Sequence, residues 1–286
     1  MAGGNVAAGA ELVAAHERLH GVSPQLLLAK SWLGRAALGA SQLDQAEHYA
    51  RQTYSEISTL LTTRGLDDEP DLPIALGAAI EVLGQTLAAR GQRSEAVVYL
   101  ERELDTWRTT SMVKRIQKNL HLISLAGQPG PALSVQEWLG EQRPDLGTLE
   151  GHVVVLFFWA HWCADCKRQG PVLEQALARH KGDGLRVFAP TQRFGYAAGG
   201  EDATPADERA YIDRVRAAAY RWMPASVVPI DEANHVAYGV STTPTIVIVD
   251  RDGRIQKYHP GVMSEQELED AIAPLLAQPS TDLTAR

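Results

Sequence analysis

Two cysteines, Cys163 and Cys166, are the only ones in the chain, and two residues separate them. The pair follows Val153-Val154-Val155-Leu156-Phe157-Phe158, a continuous apolar run rich in β-branched and aromatic residues. That run suits a strand buried on both faces of a sheet. The segment after the pair is compatible with a helix to His180. Cys163 therefore falls at a strand-to-helix junction, where unpaired N–H groups and the helix dipole lower the pKa of a thiol. Cys166, on the first turn, is near enough to close a disulfide. Such a pair can attack a substrate disulfide and then resolve the mixed intermediate. The position at the helix start predicts a partly exposed, attacking Cys163 and a shielded, resolving Cys166. A closed zinc site is the alternative, but it takes four ligands and no second Cys or His pair of suitable spacing accompanies this one.

The elements that position the pair can be read around it. Leu185 to Pro190 reads as a second, parallel strand, completing a βαβ unit. Thr191 to Pro205 holds Gly195, Gly199 and Gly200 and few large apolar residues. It is expected as a long flexible loop, either a lid or selectivity loop or simply mobile surface. A helix from Pro205 to Trp222 follows. Ala132 to Leu139, with Trp138 packed near it, and Ser226 to Ile230 are expected as short strands, and Asn234 to Tyr238 as a helical turn. Thr245 to Val249 is strongly β in character. Asp250 to Gly253 makes a hairpin turn, and Arg254 to His259 returns antiparallel. Ser264 opens the last helix, with Glu267 as its capping-box partner.

At these residues the chain resembles the thioredoxin superfamily, and more narrowly the TlpA/ResA-like thiol:disulfide oxidoreductases. The likeness rests on Leu149-Glu150-Gly151, on Phe158-Trp159-Ala160 and Trp162-Cys163 through Cys166-Lys167, on Pro171, and on Gly239-Val240-Ser241-Thr242-Thr243-Pro244-Thr245. It spans roughly residues 128–278. It implies an α/β thioredoxin-like fold, a central mixed sheet flanked by helices. It further implies a cis Pro244 that places the Thr243 backbone opposite the thiols, where an extended substrate can pair with it. Trp162 is expected beside the pair, limiting solvent access. The activity implied is dithiol–disulfide exchange on disulfide-containing protein substrates, fed by an upstream electron donor, with no cofactor.

Two departures from the family matter. Phe157 stands where thioredoxins carry a buried Asp, and Gln169 stands where ResA-like proteins carry a Glu. Asp165 is the nearest remaining acid; its charge opposes a thiolate at Cys163, and Lys167 offsets it. The balance points to a reductant or a balanced exchanger over a strong oxidant. Two other readings stay open: a protein-binding scaffold with an incidental Cys pair, and a copper-handling site that adds His161 and His259.

From about Val6 to Ala126 the apolar residues recur at helical spacing. Six helices are expected, one of them capped by Ser23 with Pro24 at its first position. Leu33-Gly34 is followed by Ala46 and Tyr49, and Leu83-Gly84 is followed at the same offsets by Ala96 and Tyr99. This internal repeat resembles the tetratricopeptide arrangement, in which small residues let paired helices approach closely. Such a domain offers a groove for a protein or peptide partner, or else caps or dimerises the chain. His16, His20 and His48 read as surface residues. Gly127-Gln128-Pro129-Gly130-Pro131 marks a connector. The expected organisation is therefore an all-α tetratricopeptide-like domain over 1–126, a linker over 127–131, a thioredoxin-like domain over 132–279 and a tail over 280–286.

A chain of 286 residues is long enough for two such domains. A net charge of −8 argues against nucleic acid or an anionic membrane as partner. The apolar run near residue 155 is too short to span a bilayer. Met1 to Val6 lacks a basic, then apolar, leader. As written this start is cytoplasmic, and a trimmed start would fit a periplasmic or extracytoplasmic protein.

Overall fold

The computed structural model describes residues 6–278, so the expected tail lies outside the described residues. The chain divides into two compact units, 1–123 and 124–286. The first is all helix: α1 (Val6–His20), α2 (Pro24–Gly39), α3 (Leu43–Leu60), α4 (Asp71–Ala89), α5 (Arg93–Thr106) and α6 (Val113–Ser124, which ends just past the division). Ser23 accepts a hydrogen bond from the Leu26 N–H and Pro24 occupies the first helical position, so local chemistry starts α2.

The repeated small residues sit at helix contacts. A methyl group on Gly34 would lie 3.7 Å from Ala46 O and Ala50 N of α3. One on Gly84 would lie 2.9 Å from the Leu100 side chain of α5. Ala46 and Ala96 are fully buried. Lys30, buried in α2, donates to Glu17 of α1 at 2.8 Å and to Glu56 of α3 at 2.7 Å, so its charge is answered twice.

The apolar run near residue 155 is not the most membrane-like stretch. α4, with 19 residues and a mean hydropathy of 1.5, is long and apolar enough to cross a bilayer. Leu72, Leu76, Ile80 and Leu83 are instead buried within the helical unit. High hydropathy here reflects a helix surrounded by α2, α3 and α5.

The second unit is built on a four-stranded sheet in the order β2-β1-β3-β4. β1 (Val153–Phe158) pairs parallel with β2 (Leu185–Phe188) and antiparallel with β3 (Thr245–Val249). β4 (Ile255–Pro260) closes the antiparallel edge after a turn whose Gly253 has φ +76°. Every residue of β1 is buried, as its unbroken apolar run predicts. Val153, Val155 and Phe157 face one core with the cysteines; Val154, Leu156 and Phe158 face another. The helices of this unit are α7 (Ala164–Arg179), α8 (Pro205–Ala219), α9 (Glu232–Ala237) and α10 (Glu265–Leu276). Ser264 and Glu267 form the expected capping box on α10.

Two local expectations are corrected. Residues 132–139 form no strand, only a bridge between Trp138 and Pro229. Ser134 is held instead by side chains, its N–H donating to Asn234 Oδ1 and its hydroxyl to Asp231 Oδ2. Residues 226–230 likewise make only the bridges at Pro229 and Ile230, preceded by a 3₁₀ turn at Ala225–Val227. Single backbone bonds reach this stretch, from Ala189 N–H to Val227 O and from Leu139 N–H to Val228 O, but the 3₁₀ turn and Pro229, which has no N–H to give, keep them from extending into a ladder. The connector at 127–131 is paired: Gly127 N–H donates to Ile255 O, Ile255 N–H to Gln128 O and Gly130 N–H to Gly253 O. Tyr238 adds a hydroxyl bond to Pro131 O.

Candidate active site

The site starts at the end of β1. Trp159 continues the strand direction, its N–H donating to Pro190 O and its indole N–H to Ala189 O at 3.1 Å. The Thr191 hydroxyl donates back to Trp159 O at 2.8 Å. These bonds fix where β1 gives way to the turn. Cys163 then takes the N-cap position of α7 with extended backbone, and its sulfur accepts the Cys166 N–H at 3.0 Å. The sulfur thus sits where a capping oxygen usually does, on the positive end of a sixteen-residue helix.

Cys163 and Cys166 are joined in a disulfide, with 5.3 Å between their Cα atoms. Across the site the Thr243–Pro244 peptide bond is cis, and the Thr243 carbonyl oxygen lies 3.4 Å from Cys163 Sγ. The structure thus brings Cys163, Cys166, Thr243 and Pro244 together. Trp162 flanks them, 50% exposed, and meets Phe194 edge-on with ring centroids 5.5 Å apart.

The expectation of a partly exposed Cys163 is corrected. It is only 3% exposed, and Cys166 is fully buried. The Thr243 carbonyl closes over the first sulfur, and both cysteines belong to the core cluster that includes Trp159, Ala160 and Tyr220. The two thiols differ in what covers them more than in how far they are covered.

The remaining predicted residues have specific places. Asp165 is exposed and pairs with Arg168 at 2.7 Å, so its charge is balanced at the surface, where solvent screens it. Lys167 is exposed in the same turn, and its positive charge opposes protonation of His161. Phe157 is fully buried, edge-on to Tyr220 at 5.8 Å. Gln169 is buried; its side-chain oxygen accepts the Met263 N–H at 2.7 Å, while its amide nitrogen has no partner. His161 and His259 do not join the sulfurs: His161 Nε2 lies 3.3 Å from Glu208, and His259 Nε2 is 3.1 Å from Val262 O. No group of three or more His, Cys, Asp or Glu able to hold a metal occurs among the described residues.

Sequence reasoning missed Glu208 and Phe194. Glu208 reads as an ordinary first-turn acid of α8, and its pairing with His161 spans 47 residues. No local pattern announces that contact. A cavity of about 570 Å³ also exists, but Val154, Leu156 and Tyr238 line it, on the sheet face turned away from the cysteines.

A parallel βα unit, a Cys-x-x-Cys capping the helix and a cis-proline loop facing it define the thioredoxin-like class. Residues 147–275 match the model of the thioredoxin-like domain. The thioredoxin-like protein YneN of Bacillus subtilis is 31% identical over 147 residues, covering 51% of this chain and 78% of its own. The thiol-disulfide oxidoreductase ResA of Halalkalibacterium halodurans is 28% identical, covering 52% and 76%. The thiol:disulfide interchange protein HelX of Rhodobacter capsulatus is 27% identical, covering 54% and 78%. A solved thiol-disulfide isomerase from Corynebacterium glutamicum overlays 53% of the chain and 97% of its own, at 24% identity and a TM-score of 0.41. The chain belongs to the thioredoxin-like family, with relatives among the ResA-type thiol-disulfide oxidoreductases.

Proposed function

We propose that the chain reduces disulfides in protein substrates through the Cys163/Cys166 dithiol. In the reduced form the Cys163 thiolate attacks one substrate sulfur. The substrate S–S bond breaks, a Cys163–substrate disulfide forms, and the departing substrate thiolate takes a proton. Cys166, deprotonated, then attacks Cys163 Sγ and releases the second substrate thiol. The chain is left with the Cys163–Cys166 disulfide, two electrons having passed to the substrate. An upstream dithiol donor restores the pair.

The observation that carries this reading is the disulfide held at the N-terminus of α7 with the Thr243 carbonyl 3.4 Å from Cys163 Sγ. Thr243 and Pro244 supply the backbone against which an extended substrate segment lies, and Trp162 supplies an exposed ring beside it. What surrounds the sulfur supports the reductive direction. The Cys166 N–H and the helix end favour a thiolate, but a thiol at this place donates to the Thr243 carbonyl, and that bond favours the neutral form. No acid stands at Phe157 or Gln169 to take the second proton, and Asp165, paired with Arg168, and the exposed Lys167 act on the pair only through solvent-screened surface charge. A dithiol whose anion is only modestly stabilised is a reductant.

The helical unit, residues 1–126 in this reading, is a tetratricopeptide-like module that presents a protein or peptide partner, followed by the 127–131 connector and the catalytic domain to residue 279. Gly34 set against Ala46 and Ala50, Gly84 set against Leu100, and the burial of Ala46 and Ala96 at matching offsets support that assignment. The test of the activity is turnover of a disulfide-bonded protein with dithiothreitol as donor. Wild type should accelerate it and Cys163→Ser should abolish the acceleration. Equal rates with the two proteins would leave the cysteines without a catalytic role.

A further inference from the structure

The loop after β2 is anchored from beneath by a buried pair that the exchange reaction does not use. Glu208, in the first turn of α8, is 1% exposed. Its carboxylate accepts three donors: the Phe194 N–H, the Gly195 N–H at 3.1 Å and His161 Nε2 at 3.3 Å. A carboxylate only accepts, so the His161 proton is assigned to Nε2. Nδ1 is then a bare acceptor, and it has no partner. Burial holds the His161 pKa below its ordinary value, so the ring is neutral at neutral pH. Phe194, Tyr196 and Tyr211 surround this ring edge-on at 5.3–5.5 Å between centroids.

Phe194 touches both sides of the arrangement. One contact is the buried His161; the other is the half-exposed Trp162 next to Cys163. The rest of the loop closes on itself, Ala203 N–H donating to Gly195 O at 3.0 Å and Ala197 N–H to Glu201 O at 2.9 Å, around Gly195, Gly199 and Gly200 at positive φ. Arg193 adds an ion pair to Glu137.

We propose that His161 and Glu208 are positioning residues that lock the 193–196 segment against Trp162, making Phe194 one wall of the substrate groove and a determinant of which protein disulfides are reduced. The proposal rests on the exchange activity proposed above and assigns the loop its part in it. A folded substrate meets the Thr243 backbone on one side of the cysteines and the Trp162–Phe194 rings on the other. A small disulfide needs neither wall.

The test uses the full chain carrying Phe194→Ala, Glu208→Ala or Glu208→Gln. Four quantities are read: kcat and KM with a disulfide-bonded protein, the exchange rate with oxidised glutathione, and the rate of trypsin cleavage after Arg193. Phe194→Ala should raise KM for the protein substrate about tenfold, while kcat and the glutathione rate stay within about twofold. Glu208→Ala should do the same and expose Arg193 to faster cleavage; Glu208→Gln, which keeps an acceptor oxygen, should recover most of both. Equal losses on protein and glutathione would overturn the wall, because the pair would then serve the cysteine geometry itself. Unchanged KM in Phe194→Ala would overturn it too, and this half-buried position keeps the test sound if Glu208→Ala does not fold. A wild type that turns over neither disulfide overturns the exchange reading and the wall with it. Unchanged cleavage in Glu208→Ala overturns the latch alone.

Discussion

Gln169→Glu places an ionisable acid at a buried site whose surroundings give the direction of its cost. The side chain is fully buried one turn beyond Cys166, and its oxygen already accepts the Met263 N–H at 2.7 Å. The substitution keeps volume and that bond, and it replaces a partnerless amide nitrogen with an ionisable oxygen. Burial raises the pKa of the new carboxyl; the Met263 bond offsets part of the rise. Each unit by which the folded-state pKa stands above the unfolded value of about 4.3 is worth about 1.4 kcal/mol. The sign follows from the raised folded value. Below about pH 4.3 both states hold the proton and the variant matches wild type. Above it the unfolded state releases the proton first, so the variant loses up to about 1.4 kcal/mol per pH unit. The loss levels off once the folded carboxyl ionises too. Urea melts of the oxidised proteins at about pH 5 and 8 should therefore show the gap between variant and wild type widening by more than about 1 kcal/mol. A gap that is the same at both values would mean that the carboxyl ionises as it does in water, and that Gln169 does not occupy a dry site.

Cys166→Ser should accumulate mixed disulfides with substrate proteins on non-reducing gels, and Cys163→Ser should not; the opposite pattern reverses their roles. In the helical unit, Gly34→Ala meets only ordinary contacts and should stabilise by up to about 1 kcal/mol. Gly84→Ala drives a methyl into the buried Leu100 and should destabilise by about 1–3 kcal/mol, with thermal melts separating the two signs. A piece beginning at residue 124 should fold and exchange thiols alone, and one beginning at residue 133 should melt lower because it loses Leu125 and the backbone bonds of Gly127, Gln128 and Gly130 to the hairpin. Equal melting points for the two pieces would make that pairing incidental.

What could be read in the sequence was what local physics controls. The unbroken apolar run of β1, the Ser23-Pro24 start of α2, the Ser264/Glu267 capping box and the Gly253 turn each depend on residues a few positions apart. The cysteine pair was legible because its strand-to-helix setting is local too. Its burial was not, since the cover over Cys163 comes from Thr243, eighty residues on. The segments at 132–139 and 226–230 have strand-like composition, but whether a ladder forms depends on partners the local pattern does not name. The hydropathy of α4 alone does not tell a bilayer span from a core helix; the helices packed around it decide that. His161 carried no signal of its partner, and Glu208 looked like a helix-start acid. Their meeting is a property of the tertiary fold.

The two-electron reduction potential of the Cys163–Cys166 pair tests the central claim most directly. Equilibrate the full chain in graded ratios of oxidised to reduced dithiothreitol, trap free thiols by alkylation and count them by mass. A protein reductase with a thiol shared between the Cys166 N–H and the Thr243 carbonyl should give a value near thioredoxin's, about −270 mV. A value near about −120 mV would contradict the account, since the reduced form would then be the strongly stabilised one and the chain an oxidant.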